Sequence, residues 1–65
     1  MNKALLEYEM NLRHITKADM CEKLGLSRSA FYRKCTGISE FTRSEIQTIV
    51  NVLQLESPME IFFAD

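Results

Sequence analysis

The side chains best equipped for recognition chemistry fall in one short stretch, "SRSAFYRK", residues 27–34. Arg28, Ser29, Tyr32 and Arg33 are spaced so that a helix would carry them on one face, with Phe31 on the other. Guanidinium groups donate bidentately to the O6 and N7 of guanine, the commonest specific contact in the DNA major groove. Ser29 can donate to or accept from several bases and so specifies little, while Tyr32 suits a thymine methyl or a phosphate. Lys17, further upstream, is a candidate phosphate contact, helped by its place at the start of a helix. The competing reading is that these are ordinary solvated side chains, so the elements that carry them decide.

Other chemistries find little support. No nucleophile stands beside a base, and the glutamates fall at cap and surface positions, so an enzyme is not expected. One histidine and two cysteines match no zinc spacing, and neither a metal, a cofactor nor a small-molecule ligand is evident. Cys21 and Cys35 are too few for a disulfide scaffold and read as small core hydrophobes. There is no signal-peptide pattern, and apolar runs such as Ile61-Phe62-Phe63 are far too short to span a membrane. A cytoplasmic protein of one domain, residues 1–65, is expected.

Charge is unevenly distributed. The formal net charge is −1, yet residues 13–34 hold six basic and two acidic residues, a local +4. The remainder carries −5. A polyanion responds to the local patch rather than the sum.

The elements are legible from their start signals. Thr16, Ser27, Thr42 and Ser57 are hydroxyl N-caps. Thr42 with Glu45 and Ser57 with Glu60 form capping-box patterns, and Thr16 with Asp19 a weaker one. Ile15 with Met20, Leu26 with Phe31, and Phe41 with Ile46 have the spacing of hydrophobic staples around three of these caps. Five helices follow, over 2–13, 17–24, 28–36, 43–54 and 58–63, with no strand pattern: an all-α, compact five-helix bundle. The clearest stripe is Ile46, Ile49, Val50 and Leu53; the first helix offers Leu5, Leu6, Tyr8 and Leu12. Only Gly25, Leu26 and Ser27 separate the second and third helices, which must cross steeply, with Met20, Cys21 and Leu24 facing inward. His14 is expected to end the first helix at positive φ.

With these elements in place, "ITKADMCEKLGLSRSAFYRKCTG" resembles the helix-turn-helix of the phage Cro/repressor (XRE-like) DNA-binding family. "FTRSEIQTIVNVLQLESPMEIF" resembles that family's fourth and fifth helices. The resemblance covers residues 15–63 well and 1–14 loosely. It implies a lambda-repressor-like fold and a transcriptional regulator that places helix 28–36 in the major groove of an operator. By this resemblance Arg28, Ser29, Arg33 and Tyr32 would meet base edges, and Lys17, Ser27, Lys34, Thr42 and Arg43 the phosphates. Two positions depart from the pattern. Cys35 stands where the family often pairs a buried Glu with an Arg of helix 1, and Lys34 replaces an apolar residue, its ammonium expected to snorkel to solvent or phosphate.

The C-terminal segment places Met59, Ile61, Phe62 and Phe63 on one short helix, more apolar bulk than a core-facing side can bury. A homodimer through this end would set two recognition helices about 34 Å apart and require a palindromic operator. With no further domain expected after the fifth helix, regulation would rest on concentration and operator competition, as in Cro-type phage or prophage repressors, with the protein on the nucleoid when bound. The alternative from another class is a protein-interaction module that docks another regulator through the same apolar end.

Overall fold

The computed structural model describes residues 1–63; the last two residues of the expected domain lie outside them. Five helices follow in order: α1 (Lys3–Leu12), α2 (Lys17–Leu24), α3 (Arg28–Cys35), α4 (Arg43–Leu53) and α5 (Met59–Phe62). No strand occurs among the described residues. The α-only architecture expected from the sequence is the one observed.

Side chains close most of the helix starts. The Thr16 hydroxyl accepts from the Asp19 amide, and the Asp19 carboxylate accepts from the Thr16 amide, so the box with aspartate is complete. Thr42 and Glu45 form the second box, and Ser27 caps α3 through the Ala30 amide at 3.1 Å. The box expected at Ser57 and Glu60 does not form. Pro58 is already in helical conformation at the cap position, and the Glu60 amide donates to the Ser57 carbonyl instead of its hydroxyl. α5 is a single turn that closes partly by tight i→i+3 bonds, which leaves no role for a side-chain cap. At the other end of the chain, Asn2 caps α1 through the Leu5 amide, and its own amide donates to the Ile61 carbonyl at 2.6 Å. The start of α1 is thereby tied to α5.

Helices α1 to α4 all end in the same way. His14, Gly25, Gly37 and Gln54 take positive φ, at 56°, 69°, 88° and 52°. The next residues, Ile15, Leu26, Ile38 and Leu55, each donate their amide back to a carbonyl five positions earlier, on Met10, Cys21, Arg33 and Val50. This is the Schellman termination, which satisfies carbonyls that the helix leaves orphaned. In two places the terminator and the next cap are fused: Ile15 precedes cap Thr16, and Leu26 precedes cap Ser27. A left-handed residue, an apolar residue and a hydroxyl are therefore enough to end one helix and begin the next.

The core joins Leu6 and Met10 of α1, Met20 and Cys21 of α2, Phe31 and Cys35 of α3, Ile49 and Leu53 of α4, and Ile61 and Phe62 of α5. Phe41, in the segment between α3 and α4, meets Phe31 edge-on at 6.0 Å and Phe62 at 5.8 Å. Such pairs add about 0.5–1.5 kcal/mol beyond the area they bury. The inward stripe of α4 agrees with expectation. That of α1 does not: Leu6 and Met10 are buried, whereas Tyr8 and Leu12 are each 56% exposed. The α1 face is selected by the helices packed against it, and apolar residues on its far side stay in solvent.

Candidate nucleic-acid interface

Every residue of the proposed recognition surface on α3 depends on how α3 is anchored. Phe31 and Cys35, one turn apart, are buried at 3% and 6% exposure, which turns the opposite face outward. Arg28, Ser29, Tyr32 and Arg33 are all exposed on that outer face. Neither arginine takes part in the ion pairs among the described residues, which join Arg13 to Glu9, Lys17 to Glu7 and Lys34 to Glu45. Their guanidinium groups are available to an external acceptor. Ser27 accepts from Ala30 and keeps its hydroxyl hydrogen to donate.

The expected phosphate contacts divide. Lys17, the first residue of α2, is exposed and lies 3.3 Å from the Glu7 carboxylate, a solvated pair of small energetic weight. Arg43 is exposed at the first position of α4. The Thr42 hydroxyl is engaged by the Glu45 amide and lies 3.2 Å from the Ser44 hydroxyl. Lys34 is differently placed from the sequence expectation. Its ammonium does not extend free into solvent but donates to Glu45 at 2.6 Å, with the two side chains 15% and 14% exposed. The Phe41 ring lies 5.9 Å from the same ammonium. Burial alone would raise the Glu45 pKa, but the Lys34 ammonium and the Thr42 amide outweigh it and hold the carboxylate below its usual range. Lys34 thus fastens α3 to the start of α4.

Two residues on α1 belong to this surface and were missed in the sequence. The Lys3 ammonium sits 5.0 Å from the centre of the Tyr32 ring, and Glu7 meets Lys17. Lys3 and Glu7 are one turn apart, so in sequence they read as an ordinary i,i+4 pair on a solvated helix. Nothing local shows that each reaches a different helix.

The apolar C-terminal set also divides. Ile61 and Phe62, expected at a dimer interface, are core residues at 1% and 9% exposure. Met59 and Phe63 remain outside at 66% and 63%. A single turn has two sides, and packing against α1 and Phe41 takes one of them. Ile38, after α3, is the most exposed large hydrophobe at 71% and had no place in the sequence reading. Burial foremost pushes the Cys35 thiol up to about 11, so it stays protonated in the core. Among the described residues no cluster of three or more His, Cys, Asp or Glu is placed to hold a metal, and no helix is long and apolar enough to cross a membrane.

Two eight-residue helices joined through a left-handed glycine, the second carrying two exposed arginines outside the ion pairs of the described residues, define a helix-turn-helix DNA-binding protein. The chain belongs to the family of Cro/C1-type HTH DNA-binding domains, whose family model matches residues 6–62. That membership makes it a DNA-binding regulator of the XRE type rather than a member of an enzyme family. No curated protein and no solved structure matches the chain significantly.

Proposed function

We propose that the protein is a sequence-specific transcriptional regulator of the phage or prophage Cro/repressor kind, binding a palindromic operator as a homodimer. α3 enters the major groove, where Arg28 and Arg33 read guanines, with Ser29 and Tyr32 completing the base contacts. Lys17, Ser27, Thr42 and Arg43 hold the phosphates. Lys34 is assigned to the α3–α4 joint rather than to DNA. The observation that carries this reading is the pair of exposed, unpaired guanidinium groups on a helix whose other face is locked by Phe31 and Cys35. Met59 and Phe63 are the residues through which two copies would meet.

The same exposed Met59 and Phe63 favour a second reading, a module that docks another protein. Salt separates the two. Binding to duplex releases counterions, so the logarithm of its association constant falls linearly with that of salt concentration, by about 0.9 per phosphate neutralised. Fluorescence anisotropy with a labelled duplex, repeated from low to physiological salt, should show that fall, and Arg28→Ala with Arg33→Ala should abolish binding. A duplex affinity indifferent to both would support the docking module.

A further inference from the structure

Helices α1, α2 and α3 start with Lys3, Lys17 and Arg28, and all three residues line one cavity of about 190 Å³. Its floor is apolar: Leu6, Met10, Phe31 and the two cysteines, all buried. Its rim holds the three cations, the Tyr32 ring and a single carboxylate, Glu7. Glu7 pairs with Lys17, which leaves Lys3 and Arg28 without a carboxylate partner among the described residues. The first residue of a helix also stands at the positive end of its dipole, so three dipoles reinforce the cations.

Size and polarity together select an occupant. A sealed apolar cavity of about 150 Å³ holds a benzene ring; this pocket, open to solvent on one side, has room of that order, enough for a phenyl group. A bare anion would satisfy the rim and leave the floor empty. A neutral hydrocarbon would fill the floor and leave the cations unanswered. A peptide is too large. We propose that the cavity is a binding site for a small aromatic carboxylate, its ring among Leu6, Met10 and Phe31 and its carboxylate against Arg28 and Lys3. The absence of an evident ligand in the sequence has a simple reason: the lining comes from three helices and converges only in the fold. If the chain binds DNA as proposed above, on which this second step rests, ligand and duplex compete, because both draw on Arg28.

The probe is phenylacetate, added to protein labelled with ¹³C at the methionine methyl groups. The Met10 methyl lines the cavity, while exposed Met59 lies outside it and buried Met20 reports on folding. Saturable movement of the Met10 signal is expected, with half-saturation at about 1 mM or below. Benzyl alcohol, and phenylacetate with Arg28→Gln or Lys3→Gln, should bind about tenfold more weakly, the loss of one charge-assisted hydrogen bond. No saturable shift in folded protein would overturn the proposal, as would equal affinity for benzyl alcohol or an equal response to acetate. A duplex that binds the protein should raise the half-saturation concentration of phenylacetate reciprocally; unchanged half-saturation would overturn the competition. Duplex binding with a silent Met10 signal removes the pocket and leaves the operator reading. A Met10 titration with no duplex binding does the reverse.

Discussion

The Lys34 ammonium lies 2.6 Å from the Glu45 carboxylate, and the same carboxylate oxygen accepts the Thr42 amide at 2.8 Å. One oxygen therefore closes the capping box of α4 and anchors the C-terminal half of α3. This joint is largely shielded from solvent, with Phe41 beside it.

Removing one partner should be worse than removing the charge altogether. Glu45→Gln leaves the ammonium without its counter-ion and weakens the cap, and should cost about 2 kcal/mol by urea denaturation. Lys34→Met with Glu45 unchanged strands a carboxylate that retains its cap, a smaller loss. The double replacement Lys34→Met with Glu45→Gln should recover part of the difference, because apolar substitutes for shielded ion pairs are often neutral. If Lys34 instead serves DNA, Lys34→Met should reduce the salt dependence of duplex binding; the joint predicts no change in that slope.

Acid should act through the same carboxylates. Glu45 is held below its ordinary value of 4.5, and Asp19 below 3.8, the latter by the Thr16 amide and then the Thr16 hydroxyl. A depressed folded-state pKa contributes stability that is complete above the unfolded-state value and is lost as pH falls through the folded one. Unfolding free energy should therefore be flat near neutrality from these groups and decline below about pH 4.5. Glu45→Gln should flatten that acid limb when urea midpoints are compared across pH.

The left-handed terminators give opposite results with one residue type. Gly25 at φ 69° has open space where a Cβ would go, so Gly25→Ala carries only the conformational cost, about 1 kcal/mol. His14 and Gln54 occupy the same conformation with a Cβ. His14→Gly and Gln54→Gly should each raise stability by a few tenths to about 1 kcal/mol in thermal melts. A loss of stability at both positions would mean that their side chains hold the turns.

Arg28→Ala and Arg33→Ala should leave the fold within about 0.5 kcal/mol of the parent, since both are exposed and outside every described ion pair. If they read guanines as proposed, each should cost about 1–3 kcal/mol of discrimination at that base. Circular dichroism melts beside binding curves separate the two effects.

How far the sequence could carry these conclusions depends on the range of the signal. α2 begins and ends where its caps and glycine place it, and α3 and α4 differ by one residue at their C-termini, because caps, staples and terminators act within five positions. The inward faces of α3 and α4 were legible from Phe31 and the Ile49–Leu53 spacing. The Lys34–Glu45 joint was not: the partners are eleven residues apart across an irregular segment, and nothing local selects Glu45 over solvent. Tyr8 and Leu12 misled for the converse reason, being apolar in type on a side of α1 that the described residues leave largely exposed. Lys3 and Glu7 show both effects, since their significance lies in helices that the linear spacing does not mention.

The most direct measurement is selection of bound sequences from a random duplex pool at about 100 mM salt, which disfavours purely electrostatic binding. The account predicts enrichment of a two-fold symmetric site with guanine-containing half-sites about one helical turn apart, lost in Arg28→Ala. Folded protein that enriches no sequence, or enriches the same site without Arg28, would contradict it.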